Sequence, residues 1–192
     1  MTIMERPDER RALEILKAAF PEKYSQAILL DKPDIQNPEE NIGVEVTQAL
    51  KESVLKALDL NEKLIQNEQD IKAAIEDKYG KGFLSVRLPL PDNETKKVTI
   101  SVANWHNLFN LYQAYDNKLM KLRHGNYRLY AENNLFIYVF SEDELAIERL
   151  MRHIEREKAG KYYDIVYVYS QPVLYIIDCE RLIVEKLVPI VK

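Results

Sequence analysis

Asp34 and Glu45 are the residues whose types and spacing point most directly to chemistry. Pro33-Asp34 precedes a short extended segment. Eleven residues after Asp34, Glu45 stands in Ile42-Gly-Val-Glu-Val-Thr-Gln48, where apolar and polar side chains alternate with the period of a strand. Alternation puts Val44 and Val46 on one face and Gly43, Glu45 and Thr47 on the other. The Glu45 carboxylate then points away from the apolar face, toward the turn that carries Asp34. Two carboxylates converging across adjacent strands suit a hard divalent cation such as Mg²⁺, whose other positions go to water and a substrate phosphate. The same spacing also describes a solvated strand face opposite a charged turn, and both readings stay open.

Other chemistries find little support. His106, His124 and His153 include no two at metal-ligand spacing. The one close glycine pair is Gly80-Lys-Gly82, and there is no Gly-x-Ser-x-Gly elbow. A phosphate-cradling loop and a serine-hydrolase nucleophile are thereby excluded. The single cysteine, Cys179, permits neither an internal disulfide nor a multi-cysteine zinc site. That usage fits a reducing compartment and the expectation of a cytoplasmic protein, with Cys179 as a small buried residue beside a strand.

The order of a first helix, Pro33-Asp34 and then Ile42-Gly-Val-Glu-Val-Thr47 resembles the PD-(D/E)xK nuclease superfamily, the restriction-endonuclease-like fold. The resemblance implies a metal-dependent hydrolase of phosphodiester bonds in nucleic acid, using Mg²⁺ or Mn²⁺. Asp34 and Glu45 would match the motif acids and ligate the metal, with the backbone carbonyl of Val46 as a further ligand. A glutamate on the first helix often joins such a site. At 100° per residue, Ala12, Leu13, Leu16, Ala19 and Phe20 define the buried face of that helix, with Glu9 inside it and Glu14 opposite, so Glu9 is the choice and Glu5 the second. The sequence departs from the family where the catalytic lysine belongs, two residues after the acid. Thr47 stands there and carries no charge, leaving Gln48 and Lys51 as the neighbours to fill that role.

These residues need elements to position them. At 192 residues, 46% of them hydrophobic, the chain is long enough for one domain with a sizeable core. Pro7 and the acids after it open a helix over 7–20. Ala27–Leu30 and Ile42–Gln48 read as strands on either side of breaker residues. A long apolar stripe follows over 49–79, then a hairpin of 83–88 and 97–102 around Pro89-Leu-Pro-Asp-Asn-Glu-Thr95. Asn104 begins a helix that ends at Gly125. Leu135–Phe140 reads as a strand buried on both faces, 141–159 as a charged helix, and 164–169 and 173–178 as closing strands. The expected fold is α/β, a mixed central sheet flanked by helices. It would form a single domain of 1–192, with 49–102 inserted as a long helix and hairpin.

Six residues is the longest apolar run, and the N-terminus lacks an apolar core of signal-peptide length, so neither export nor a membrane span is expected. A net charge of −4 offers no global attraction to nucleic acid. Local clusters do exist, at Lys121, Arg123, His124 and Arg128 and along Arg149, Arg152, Arg156, Lys158 and Lys161. These could meet phosphates, or serve as solvated helix faces and partners of helix C-termini. Tyr162-Tyr-Asp-Ile-Val-Tyr-Val-Tyr169 is assigned to sheet packing rather than to stacking on bases. Two further functions remain beside the nuclease: an inactive relative acting in interaction or regulation, consistent with Thr47, and an assembly protein whose 49–79 stripe supports a homodimer.

Overall fold

The computed structural model describes residues 6–49, 111–139 and 144–191 with their side chains, and the backbone of 83–90 and 93–102. The chain divides into two compact units, Met1–Ala49 with Leu111–Lys192, and Leu50–Asn110. In the second, β4 (Phe83–Leu90) and β5 (Asn93–Val102) form an antiparallel hairpin. Both strands extend into the segment expected as a loop, pairing as far as Leu90 with Asn93. Residues 50–79 of the long stripe, Lys51 among them, and Asn104 lie outside the described residues.

The first unit is a seven-stranded mixed sheet between two helical layers. Its strands are β1 (Ile28–Leu29), β2 (Ile35–Asn37), β3 (Ile42–Gln48), β6 (Glu132–Val139), β7 (Ile165–Ser170), β8 (Val173–Asp178) and β9 (Ile183–Leu187). The first three form an antiparallel meander, β3, β6 and β7 run parallel, and the last three are antiparallel again. Helices α1 (Pro7–Ala19) and α2 (Pro21–Tyr24) lie on one face; α3 (Leu111–Arg123) and α4 (Glu144–Arg156) lie on the other. Among the described residues, no helix is long and apolar enough to cross a membrane.

Strand alternation separates the two cores. Ile42, Val44, Val46, Phe136, Tyr167 and Leu174 pack on α1 and α2, while Ala49, Leu135, Ile137, Val166, Val168 and Ile177 pack on α3 and α4. Both sheet faces are therefore dry, which corrects one expectation: the Glu45 side of β3 is not solvated, because α3 covers it. Glu45 is 5% exposed and Asp34 7%. On α1, Ile15 takes the buried place expected of Leu13, which is half-buried. The short α2 and β9 were not expected. Neither has the length for a period to show, and β9 lies at a sheet edge with most of its side chains exposed or half-exposed.

The loop that presents Asp34 is held by packing against a glycine. A Cβ on Gly43 would lie 2.6 Å from the Tyr130 ring and 2.7 Å from Pro33 Cγ, so the close approach of both needs a residue without a side chain. Gln36, opposite Gly43 in the β2–β3 register, donates to the Pro33 carbonyl (2.8 Å) and accepts the Tyr130 hydroxyl. Gly43→Ala is therefore expected to lower stability by about 2 to 3 kcal/mol in urea unfolding, the usual loss for overpacking a site that cannot relax. A loss under about 0.5 kcal/mol would show that Tyr130 moves aside freely.

Candidate functional site

Asp34 sits just before β2. Its Oδ2 accepts the Val46 N–H at 2.7 Å, a buried bond that fixes the carboxylate against β3. The expectation for Val46 concerned its carbonyl; the contact formed is through its N–H. Oδ1 of Asp34 lies 3.6 Å from an Arg6 guanidinium nitrogen. The same guanidinium pairs with Glu9, one turn into α1, whose side chain is 8% exposed. Glu9, chosen from its position on the buried face, is thus beside Asp34. Glu14 is exposed and pairs with Arg11, and Glu5 lies outside the described residues.

Glu45 approaches from the other face. Its Oε1 accepts from Lys118 Nζ at 2.5 Å, and the two side chains are only 7% and 13% exposed. Its Oε2 is buried without a hydrogen-bond partner. Behind Lys118, Tyr163 donates its hydroxyl to the Lys118 carbonyl (3.0 Å). The Tyr127 hydroxyl is also buried and faces Glu45 and Tyr163.

Burial dominates the electrostatics of both glutamates, and Asp34 adds to each. Burial raises the Glu45 carboxyl above the ordinary carboxylate range, Lys118 opposes the rise and Asp34 adds to it. Burial likewise raises Glu9, with Arg6 opposing and Asp34 adding. Asp34 therefore acts on both glutamates, and each glutamate has its own side-chain cation. Among the described residues, no group of three or more His, Cys, Asp or Glu side chains is arranged to hold a metal ion as it stands. The acids are instead neutralised by Arg6 and Lys118.

Lys118 was not among the residues singled out from the sequence. Gln48, one of the two chosen as the missing cation's neighbour, turns toward α1, with its Nε2 3.4 Å from Asp8 Oδ2. Thr47 is half-buried in β3 opposite Ile137. A signal for Lys118 did exist. Leu111, Ala114, Tyr115, Leu119 and Leu122 are the buried residues of α3, and at 100° per residue Lys118 falls in the middle of their stripe. A lysine in that place needs a partner, and Glu45 is it.

Part of the basic clusters is committed to structure. Arg123 donates to the Lys161 carbonyl (3.0 Å) and the Glu157 carbonyl beyond α4, and Lys158 to the Glu180 carbonyl (2.9 Å). His153 bonds Asp116 across α3 and α4 at 2.7 Å and stacks on Tyr112, while His124 contacts the Met120 carbonyl at 2.6 Å. Burial pushes the Cys179 thiol up to about 12, so it is no nucleophile near neutrality.

Removing the Lys118 ammonium would leave Glu45 as an unpaired buried charge. Lys118→Met should lose about 3 kcal/mol near neutral pH, and Lys118→Met/Glu45→Met should regain most of it. The pH dependence has a definite sign. The folded Glu45 carboxyl holds its proton more tightly than in the unfolded chain, so its ionisation subtracts stability as pH rises from the ordinary carboxylate range through the raised folded value. Without Lys118 that subtraction grows, so the deficit of Lys118→Met should be larger at pH 8 than at pH 4. Equal deficits at both, measured by urea unfolding, would contradict a charge-based role.

Compared with known proteins, the chain matches no protein-family model, no curated protein and no solved structure.

Proposed function

We propose that this chain is a divalent-metal-dependent hydrolase of phosphodiester bonds in nucleic acid, with Glu9, Asp34 and Glu45 as its acids and Lys118 as the cation beside them. The observation that carries this reading is the buried Lys118–Glu45 pair. It supplies, from α3, the positive charge that Thr47 withholds from the strand. The order of α1, the β1–β3 meander, α3 and the parallel β6 agrees with the restriction-endonuclease-like core that the sequence resembles.

The three acids are buried carboxylates, the ligand class a hard divalent cation takes, and they would hold one only after rearranging away from Arg6 and Lys118. Glu9, Asp34 and Glu45 would hold it, and the Val46 carbonyl is the backbone candidate. When bound, such an ion lowers the pKa of a water and neutralises charge on a phosphate. The protein's own part is positional. The Val46 N–H holds Asp34 in one orientation, and Asp34 links the α1 side of the sheet to the α3 side. The Lys118 ammonium, fixed against Glu45, stabilises negative charge developing on a phosphate oxygen nearby. Gln48, bonded toward Asp8, takes no part.

A second reading has its own support. Arg6 and Lys118 neutralise the acids with no metal at all, as an inactive relative working in interaction or regulation would require. Calorimetry with Mn²⁺ and cleavage of single- and double-stranded DNA and RNA with Mg²⁺ separate the two. The hydrolase reading expects Mn²⁺ heat in the parent that Asp34→Asn and Glu45→Gln abolish, and cleavage that falls about 100-fold or more in Lys118→Met and Lys118→Arg. Thr47→Lys should add little, because Lys118 already serves that face. Unchanged heats in parent and both acid variants, with no cleavage, would sink the hydrolase reading and leave the inactive relative.

A further inference from the structure

Three arginines of the basic clusters are not taken up by the fold. Arg149, Arg152 and Arg156 are exposed on α4, and at 100° per residue they fall within about 60° of one another, opposite the buried Ile147, Leu150 and Ile154. Their neighbours along the helix surface are mainly each other. At three and four residues' distance Arg149 has Leu145, Ala146, Arg152 and His153, and Arg156 has Arg152 and His153 before the helix ends. Among the described residues neither Arg149 nor Arg156 forms an ion pair, and Arg152 reaches Glu148 at 3.9 Å. Like charges at these spacings destabilise a helix, as Arg149 with Arg152 and Arg152 with Arg156 do. The helix dipole does not account for the run, because Arg149 and Arg152 precede the last turn that holds His153 and Arg156. Local rules broken without a local gain are characteristic of functional positions.

We propose that Arg149, Arg152 and Arg156 form a stripe that binds the phosphate backbone of a nucleic acid. The inference shares its class of partner with the proposed hydrolase, but it needs neither the acids of that site nor a metal. Each guanidinium presents a planar fork of donors that takes a phosphate bidentately, which a lysine cannot do. The seven-residue rise from Arg149 to Arg156 is about 10 Å, the axial span of about three phosphates of one strand. The acids of α4 do not interrupt the stripe. Glu144, Glu148 and Glu155 lie together on its flank, within about 40° of one another, and Glu144 is paired with Lys186. In a chain of net charge −4 the stripe is a local positive field that the overall composition does not produce. A phosphate backbone seated on it would also remove the repulsion among the three arginines, so the contact that binds the partner relieves the helix. Leu145, 47% exposed, continues the same line toward the start of α4. An anionic membrane would use that residue, whereas a phosphate backbone does not need it.

Fluorescence anisotropy in EDTA with labelled duplex DNA, single-stranded DNA and single-stranded RNA tests this, on the parent and on Arg149→Gln/Arg152→Gln/Arg156→Gln, with melting curves as a second readout. The parent should bind at least one of the three nucleic acids. The triple variant should bind it roughly ten- to a hundredfold more weakly, with the slope of log K against log salt smaller by about 2 to 3. The corresponding triple lysine variant should keep most of the slope, because the charges remain, and bind more weakly than the parent. The triple glutamine variant should melt at or above the parent, because the repulsion is gone. Loss of binding accompanied by a clear fall in melting temperature would assign the arginines to the fold and overturn the proposal. A parent that binds none of these nucleic acids, or a triple variant with the parent's affinity and slope, overturns it as well. So does arginine-dependent retention on phosphatidylserine vesicles without nucleic-acid binding, which would assign the stripe and Leu145 to a membrane. The hydrolase reading is judged apart from this one. Binding and Mg²⁺-dependent cleavage that the triple variant leaves unchanged remove the stripe alone, and arginine-dependent binding without cleavage removes the hydrolase alone.

Discussion

Glu45 stands on the β3 face that α3 covers, and Lys118 Nζ lies 2.5 Å from its Oε1. Removing both groups from water costs several kcal/mol per ion, so neither would be tolerated there alone. The pair therefore constrains much around it. Residue 45 must face α3, which fixes the register of β3 and sends Val44 and Val46 to the α1 side. Lys118 must fall inside the stripe of α3, which fixes the rotation of that helix. Tyr163 then secures the helix backbone through the Lys118 carbonyl, and Asp34 takes its orientation from the amide next to Glu45.

A second polar cluster crosses the sheet at the other end of β3 and β6, and the contrast between the two is informative. There Asn134 donates to Tyr24 and to Glu132 and accepts the Ile165 N–H. Tyr24 pairs with Tyr167 at 3.0 Å, and Lys23 neutralises Glu132. No polar side-chain atom of that cluster is left buried and unpaired among the described residues. It docks α2 onto β6 and β7 as a satisfied network should, adding rigidity and specifying one packing. At Glu45 and Tyr127, by contrast, two buried oxygens are without partners.

The sequence was most legible where one element states its own period. Strand β3 was bounded at 42–48 from alternation, and the placement of Glu45 opposite Val44 and Val46 followed from it. The choice of Glu9 over Glu14 likewise came from helical angle alone, and burial agrees with it. What could not be read was what lies across from a face. Alternation says that Glu45 and the apolar residues diverge, but not that a helix more than sixty residues later covers the Glu45 side. The solvated-face reading failed for that reason; of the neighbours considered for the missing cation, Gln48 turns toward Asp8 and Lys51 lies outside the described residues. Neighbours in sequence were considered, whereas the partner is long-range. The polar position inside the α3 stripe was the available sign, since a lysine among Leu111, Tyr115, Leu119 and Leu122 needs a counter-charge brought by another element.

The two cations of the cluster divide the work by their surroundings rather than by their charge. Lys118 has four methylenes lying along apolar surface and its ammonium against Glu45, so its loss would leave a buried charge and strand a packed helix. Arg6 has a planar fork suited to two carboxylates, but it stands half in water at a helix end. The first is therefore part of the framework on which α3 is mounted, and the second neutralises two buried acids from a half-exposed position. Asp34 mediates between them, because it raises the proton affinity of both glutamates while its own Oδ2 is held by the Val46 amide.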